Sequence, residues 1–166
     1  LQARLDRELA RKVEELSRYR SEFFGRLREV LGDLEDIEIV GDRFLFQSEL
    51  LFPTASAQIG PAGKQQLQEV AETLKNIADQ IPPGIDWVLQ VNGHTDRRPI
   101  STERFPSNWE LSAARAISIV RFLIDQGIPA ERLAATGFAH YQPLDAAETE
   151  EAYSRNRRIE LKLTSP

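Results

Sequence analysis

Apolar residues recur three or four positions apart along the first part of the chain, at Leu9, Val13, Leu16, Phe23, Leu27, Val30 and Leu34, with Arg20 in the one polar slot. That spacing is a heptad stripe and predicts a single long helix over residues 1–36. Leu1 and Leu5 fall out of its register. No proline interrupts the segment, and its one early glycine, Gly25, costs about 1 kcal/mol relative to alanine. The other faces are dense in Arg, Glu and Lys, so the helix is amphipathic. Such a helix either packs on its own domain or pairs in parallel with a second copy, in which case Arg20 at the seam weakens the pair or specifies its register. Gly32 and Asp33 loosen its end.

The period then changes to two. Ile37-Glu38-Ile39-Val40, a Gly41-Asp42 turn and Arg43-Phe44-Leu45-Phe46 predict a β-hairpin. Leu50-Leu51-Phe52 suggests a further short strand, and Pro53-Thr54-Ala55-Ser56-Ala57 a loop whose small side chains permit close backbone approach to a neighbouring element or a ligand. Gly60-Pro61 opens a helix with proline at its favoured first position. Leu67, Val70, Ala71, Leu74, Ile77, Ala78 and Ile81 give that helix its apolar face, and Pro82-Pro83-Gly84 stops it. Ile85–Val91 is apolar enough for a central strand. A second helix starts near Ser107, where Ser107 and Glu110 form a capping-box pattern, and it ends at Gly127. Its buried face is expected at Ala113, Ala116, Ile117, Val120, Leu123 and Ile124. Arg132–Phe138 reads as a strand, residues 139–148 as a loop, 148–154 as a helical turn, and Ile159–Leu163 as a half-buried strand by its strict alternation.

From about residue 50 the order is strand, helix, strand, helix, strand, short helix, strand. This implies an α/β fold, a two-layer βαβαβ(α)β sandwich with right-handed crossovers, preceded by a long N-terminal helix and a β-hairpin. The last strand is free to run antiparallel to its neighbours. The expected divisions are residues 1–36 as an amphipathic helix that links or pairs, 37–49 as a hairpin linker, and 50–166 as the globular domain.

Composition narrows the function. With 166 residues, 41% hydrophobic and 28% charged, the chain has the make-up of one globular domain and an appendage. A net charge of −5 argues against nucleic acid or an acidic membrane surface as partner. The absence of cysteine removes disulfides, thiolate nucleophiles and cysteine-ligated metals. No apolar run approaches the ~20 residues of a membrane span. The chain begins at Leu1, already inside a helical pattern, so upstream targeting or membrane segments are expected beyond it.

The chemistry concentrates between Val88 and Arg115. Asp96 leaves the C-terminal end of the central strand, where open α/β sheets tend to bind ligands. Asn108, Leu111, Arg115, Ile119 and Phe122 share one stripe of the next helix, so Asn108 and Arg115 project from one side. The start of that helix adds positive partial charge and free N–H donors. A carboxylate and a guanidinium within one ligand's reach suit a zwitterion, with its ammonium on Asp96 and its carboxylate on Arg115. On spacing alone, a turn aspartate and a paired or solvated arginine is the stronger reading. An enzyme reading has less to build on. His94 and Asp96 lie on one side of a strand and His140 in a later loop, but there are only two histidines and no G-x-S-x-G nucleophile motif. His94 is better placed as a structural side chain.

Four motifs in one order change the balance. Asn92-Gly93-His94-Thr95-Asp96, Asn108-x-x-Leu111-Ser112-x-x-Arg115-Ala116, Gly137-Phe138-Ala139-x-x-x-Pro143 and Asn156-Arg157-Arg158-Ile159-Glu160 resemble the C-terminal domain shared by OmpA and MotB, over about residues 50–164. The resemblance implies a non-catalytic, OmpA-like domain that binds bacterial peptidoglycan without cofactor or metal. In that family, the aspartate and arginine at the positions of Asp96 and Arg115 hold the diaminopimelate of the stem peptide, and the residues at Asn108 and Arg157 line the same pocket. The long loop from Arg97 to Pro106 and the preceding polar helix resemble the MotB-type stator proteins more than the outer-membrane type. The implied setting is the periplasm, with a tether to the inner membrane, a membrane-protein partner through an upstream segment, and a homodimer. An envelope-anchoring lipoprotein unconnected to an ion-driven motor is the alternative, and a metal-dependent cell-wall hydrolase a more remote one. The loop Ala55-Ser56-Ala57 departs from the OmpA type, where polar residues are common, and leaves a ligand contact there open.

Overall fold

The computed structural model describes residues 2–31 and 37–166. The expectations for Leu1, Gly32, Asp33 and Leu34 lie outside the described residues. The elements in chain order are α1 (Gln2–Leu31), β1 (Ile37–Val40), β2 (Arg43–Gln47), α2 (Ser48–Leu51), α3 (Pro61–Ala78), β3 (Val88–His94), α4 (Asn108–Asp125), β4 (Leu133–Gly137), α5 (Glu150–Asn156) and β5 (Arg158–Thr164). A turn of 3-10 helix at Ala130–Arg132 leads into β4. The strands form one mixed sheet in the order β1-β2-β5-β3-β4. β3 and β4 run parallel, joined by the α4 crossover, whereas β5 runs antiparallel to both β2 and β3. This is the mixed α/β architecture expected from the sequence, and the final strand takes the antiparallel option.

The alternation of each strand divides the sheet into two chemically different faces. Leu89 and Val91 of β3, with Ile159, Leu161 and Leu163 of β5, join the core that α3 and α4 cover. The intervening residues Asn92, His94, Arg158 and Glu160 are also buried, but they carry polar groups on the opposite face. Arg158 Nη2 donates to the carbonyl of Gln142 at 2.8 Å, which draws the β4–α5 loop over that face.

Three expectations need correction. The hairpin 37–49 is not a linker ahead of the domain, because β2 pairs along β5, with Phe44 opposite Leu161 and Phe46 opposite Ile159. Phe44 and Phe46 are completely buried, so their removal would strip the edge of the core. Leu50-Leu51-Phe52 does not form a strand. Ser48–Leu51 is a short helix whose first N–H bonds to the carbonyl of Arg157 at 2.9 Å. Its close packing against α3 requires Gly63, where a Cβ would stand 2.8 Å from the Cα and carbonyl oxygen of Leu51. The apolar face of α4 is also turned: Leu111, Ala116, Ile119 and Leu123 are buried, while Ile117 and Ile124 are exposed.

The heptad stripe of α1 has two different environments. Its C-terminal half packs on the domain through Leu16, Tyr19, Phe23, Phe24 and Leu27, with Tyr19 next to the seam position that the spacing gave to Arg20. The Tyr19 hydroxyl donates to the carbonyl of Gln80 at 3.0 Å beyond the end of α3. Rings of Phe24, Phe44 and Phe46 continue the contact into β2, at centroid separations of 5.7 and 5.2 Å. Leu5, Leu9 and Val13 in the N-terminal half remain about 60% exposed. The packed half is thus part of the core. Phe23→Ala is expected to lower unfolding free energy by about 3–5 kcal/mol in urea titration. An unchanged midpoint would mean that α1 is an independent arm.

Candidate functional site

Two glycines bring the central motifs together. A Cβ at Gly93 would lie 2.2 Å from the carbonyl oxygen of Ser112, so the backbone of α4 rests directly on β3. At Gly137 the Cβ would meet the Ala113 nitrogen at 2.6 Å and Ser112 Oγ at 2.8 Å, which makes the same close approach to β4. Ser112 completes the joint by accepting from the Ala139 N–H at 3.0 Å. Asp96 follows β3 by two residues, and Arg115 sits one turn along α4 from Ser112. The strand–helix contact therefore fixes both side chains relative to one another.

They face a single cleft of ≈ 300 Å³. Asp96, Asn108, Arg115 and Arg157 all line it, together with Glu49 from α2, Thr54 and Ala55 from the following loop, and Arg98 to Ile100 from the loop after β3. Residues widely separated in the chain thus share one opening. The small-residue loop is part of the wall, and Ala55 there holds a left-handed backbone with φ of 54°.

Asp96 is buried and densely bonded. Its Oδ1 accepts from the Arg98 backbone N–H at 2.9 Å. Oδ2 accepts from Arg98 Nη2 at 2.8 Å, Arg98 Nε at 3.1 Å and Arg157 Nη1 at 2.6 Å. Burial alone would raise the carboxyl pKa, but the hydrogen bonds from Arg98 and Arg157 overcome it and hold the group below its ordinary value. The site keeps a carboxylate. Arg157 also pairs with Glu49, and these two acidic partners raise its pKa against the opposing effect of burial.

Arg115 is different. It is 5% exposed, and among the described residues it makes no ion pair. Its Nε donates to the Ser56 carbonyl at 2.8 Å and Nη2 to the Pro53 carbonyl at 3.3 Å, while its guanidinium carbon lies 5.1 Å from the centre of the Phe52 ring. Desolvation lowers its pKa to about 10, which leaves it charged at neutral pH. The carbonyls orient the guanidinium without neutralising it. Glu49 adds an attraction at longer range but no ion pair, so this buried cation favours an incoming anion, and the planar fork suits a carboxylate.

Asn108 has a supporting position. Its Nδ2 donates to the Arg98 carbonyl at 3.1 Å and approaches that of Asp96 at 3.4 Å, so it pins the loop that carries the carboxylate. The Ser107 cap holds as the spacing suggests: Ser107 Oγ accepts from the Trp109 N–H at 3.2 Å and also bonds to Glu110. Trp109 and Tyr141 stack with centroids 5.3 Å apart, joining the start of α4 to the β4–α5 loop.

The sequence reading did not single out Arg98, Glu49 or the carbonyls of Pro53 and Ser56. Arg98 has a local signal, because an aspartate often accepts from the backbone N–H two residues later in a turn. Glu49 has none: it is 108 positions from Arg157 and arrives through α2 packing.

Behind the site, His94 stacks on Phe138 at 4.8 Å, and its Nε2 lies 3.5 Å from Glu160 Oε1. Glu160 is also paired with Arg158 at 2.7 Å and Arg43 at 3.1 Å. Burial would raise the Glu160 pKa, but contact with His94 and the Arg158 charge hold it at about 2. Burial lowers that of His94 below 6.5, against the opposing pull of Glu160. Both shifts make acid destabilising. The His94 contribution is complete above pH 6.5 and declines below it, and that of Glu160 is complete above 4.5 and lost as pH falls toward 2. Thermal scans are expected to show a midpoint that declines from pH 6.5 and drops steeply below 4.5, the carboxylate contributing on the order of 3 kcal/mol. A midpoint flat from pH 7 to 3 would contradict this assignment. Among the described residues, no group of three or more His, Asp or Glu is arranged to hold a metal ion.

Residues 51–157 match the OmpA family. The chain is 37% identical over 118 residues to the uncharacterized protein YtxE of Bacillus subtilis, a match covering 70% of this chain and 46% of YtxE. It therefore spans about half the length of that relative. A solved MotB-like protein from Desulfovibrio vulgaris superposes with a TM-score of 0.74 at 27% identity, covering 93% of this chain and 96% of the other. The cell wall anchor of the type VI secretion system from Pseudomonas aeruginosa gives 0.70 at 30% identity, covering 85% and 98%.

Proposed function

The chain belongs to the OmpA family, and from that premise we propose that it is a non-catalytic module that binds the diaminopimelate of the peptidoglycan stem peptide and so anchors a membrane-linked protein to the cell wall. Arg115 carries the reading. Its guanidinium is buried, charged and without an acidic partner among the described residues, and it lines the same cleft as the carboxylate of Asp96. One carbon of diaminopimelate bears both an ammonium and a carboxylate. Asp96 takes the first and Arg115 the second, Arg157 holds Asp96 ionised, and Asn108 fixes the loop between them. No bond of the ligand is broken. The test is co-sedimentation with purified peptidoglycan sacculi: the chain is expected in the pellet, and competition by a soluble diaminopimelate stem peptide should release it. A chain that stays in the supernatant at every concentration would defeat the proposal.

The likeness to a MotB-like protein across nearly the whole of both chains supports a stator-type setting. In that proposal the module lies in the periplasm and is tethered to the inner membrane through a segment upstream of Leu1, with a membrane-protein partner. No helix among the described residues is long and apolar enough to cross a membrane. The comparable likeness to a cell wall anchor favours a second reading, an envelope anchor unconnected to an ion-driven motor. An upstream membrane span with an acidic residue would select the first reading, and a lipobox cysteine the second.

The unpaired half of α1 supports a homodimer. Leu9 and Val13 of the heptad stripe are exposed on a helix whose following turns are docked, so a parallel partner has a short apolar strip to cover. Burying each such side chain is worth about 1.5–3 kcal/mol, against an association cost of about 4–15 kcal/mol, so the pair should be weak. Sedimentation equilibrium is expected to show a concentration-dependent dimer that Leu9→Glu abolishes. Identical monomeric behaviour of both proteins up to millimolar concentration would end this part of the proposal.

A further inference from the structure

Asp96, the acceptor proposed for the ligand's ammonium, already carries two cations. Arg157 and Arg98 both donate to Oδ2, and the backbone N–H of Arg98 occupies Oδ1. The two guanidiniums thus share one carboxylate before any ligand arrives, each with a second acidic neighbour, Glu49 for Arg157 and Glu150 for Arg98. A third cation added to this arrangement meets repulsion from both guanidiniums at short range.

The two arginines are not equally free to leave. Arg157 is 24% exposed and is held from its other side by Glu49. Arg98 is 49% exposed and rides the loop after β3. It also has an outer seat, with its Nη1 3.4 Å from Glu150 and its guanidinium carbon 4.9 Å from the centre of the Tyr153 ring. Glu150 and Tyr153 thus offer the Arg98 guanidinium partners apart from Asp96. The bond from the Arg98 backbone N–H to Oδ1 does not depend on where the guanidinium lies, so it anchors the carboxylate independently. Arg115, 5% exposed and tied to two carbonyls, has no comparable freedom.

We propose that Arg98 is an internal stand-in for the ligand's ammonium, and that its displacement sets how well the cleft distinguishes an amino-bearing carboxylate from a carboxylate without the amino group. The inference rests on the stem-peptide reading of the cleft. With Arg98 in place the open cleft is an anion site centred on Arg115. With Arg98 withdrawn it becomes a zwitterion site. Binding of an ammonium competes with Arg98, whereas binding of a carboxylate alone does not.

The competition can be read by calorimetric titration of the whole chain and of Arg98→Gln. Two probes are needed: a stem tripeptide ending in meso-diaminopimelate, and the same peptide lacking the terminal ammonium. A partly exposed pair of this kind is worth a modest amount, so Arg98→Gln is expected to bind the first probe about three- to tenfold more tightly. Affinity for the second probe should change less than about twofold. The inference is overturned if the variant binds the diaminopimelate probe equally or more weakly, or if it tightens both probes alike. If neither protein binds either probe, the stem-peptide reading itself falls and takes the role of Arg98 with it.

Discussion

Arg115→Ala is expected to weaken binding to a diaminopimelate stem peptide by about ten- to hundredfold while the chain remains folded. A charge-assisted hydrogen bond to such a ligand is worth about 1.5–3 kcal/mol, and the guanidinium is a buried group in the cleft that makes no ion pair among the described residues. Its loss also releases the carbonyls of Pro53 and Ser56, so a modest drop in stability should accompany it. Arg115→Lys separates the two effects. Lysine restores charge but not the planar fork, and it is expected to recover stability better than affinity. Asp96→Ala should lose a similar factor through the ammonium, leaving the carboxylate contact at Arg115 intact. Retention of full affinity by both alanine variants would remove these residues from the site.

Gly93→Ala carries the largest expected effect on the fold. The added methyl would meet Ser112 at 2.2 Å from its carbonyl oxygen and 3.0 Å from its carbonyl carbon, both backbone atoms that no rotamer change can move. Helix α4 must lift off β3. Overpacking of this kind costs about 1–3 kcal/mol or more, and here the displaced element carries Asn108 and Arg115. Urea titration should show a lowered midpoint, and the surviving folded fraction should bind stem peptide poorly. Gly137→Ala should act in the same direction through Ala113 and Ser112. A Gly93→Ala variant of unchanged stability would mean that α4 does not sit on the strand backbone.

This contact also bears on what was legible in the sequence. Apolar periodicity located α3 and α4 because each helix buries one face and exposes another, while an apolar run marked β3 and alternation marked β5, both of which are buried on two faces. The motif glycines Gly93 and Gly137 sit where strand and helix touch, a contact that spacing did not reveal. Periodicity failed at Leu50–Phe52, where a run too short to show a period becomes helical because the Ser48 N–H bonds to the end of α5. It also separated the hairpin from the domain, since pairing of β2 with β5 joins positions more than a hundred residues apart. In the cleft, Asp96, Asn108, Arg115 and Arg157 were nameable from the resemblance of their motifs to the OmpA and MotB domain, and the structure brings all four to one opening. Their binding role is the proposal that the Arg115 and Asp96 substitutions would test. The state of each charge was not legible. Asp96 is saturated by Arg98 and Arg157, whereas Arg115 rests on the carbonyls of a loop that looked merely small. Such pairings depend on side-chain direction after folding, which spacing does not encode.

The central claim is most directly tested by calorimetric titration of the chain with two stem peptides that differ only in their third residue, meso-diaminopimelate or lysine. Lysine keeps the ammonium and lacks the neighbouring carboxylate. The diaminopimelate peptide is expected to bind at one site and about tenfold or more tightly than the lysine peptide, a preference that Arg115→Ala removes. Equal affinity for the two peptides, or a preference that survives in Arg115→Ala, would contradict a cleft built to receive that carboxylate.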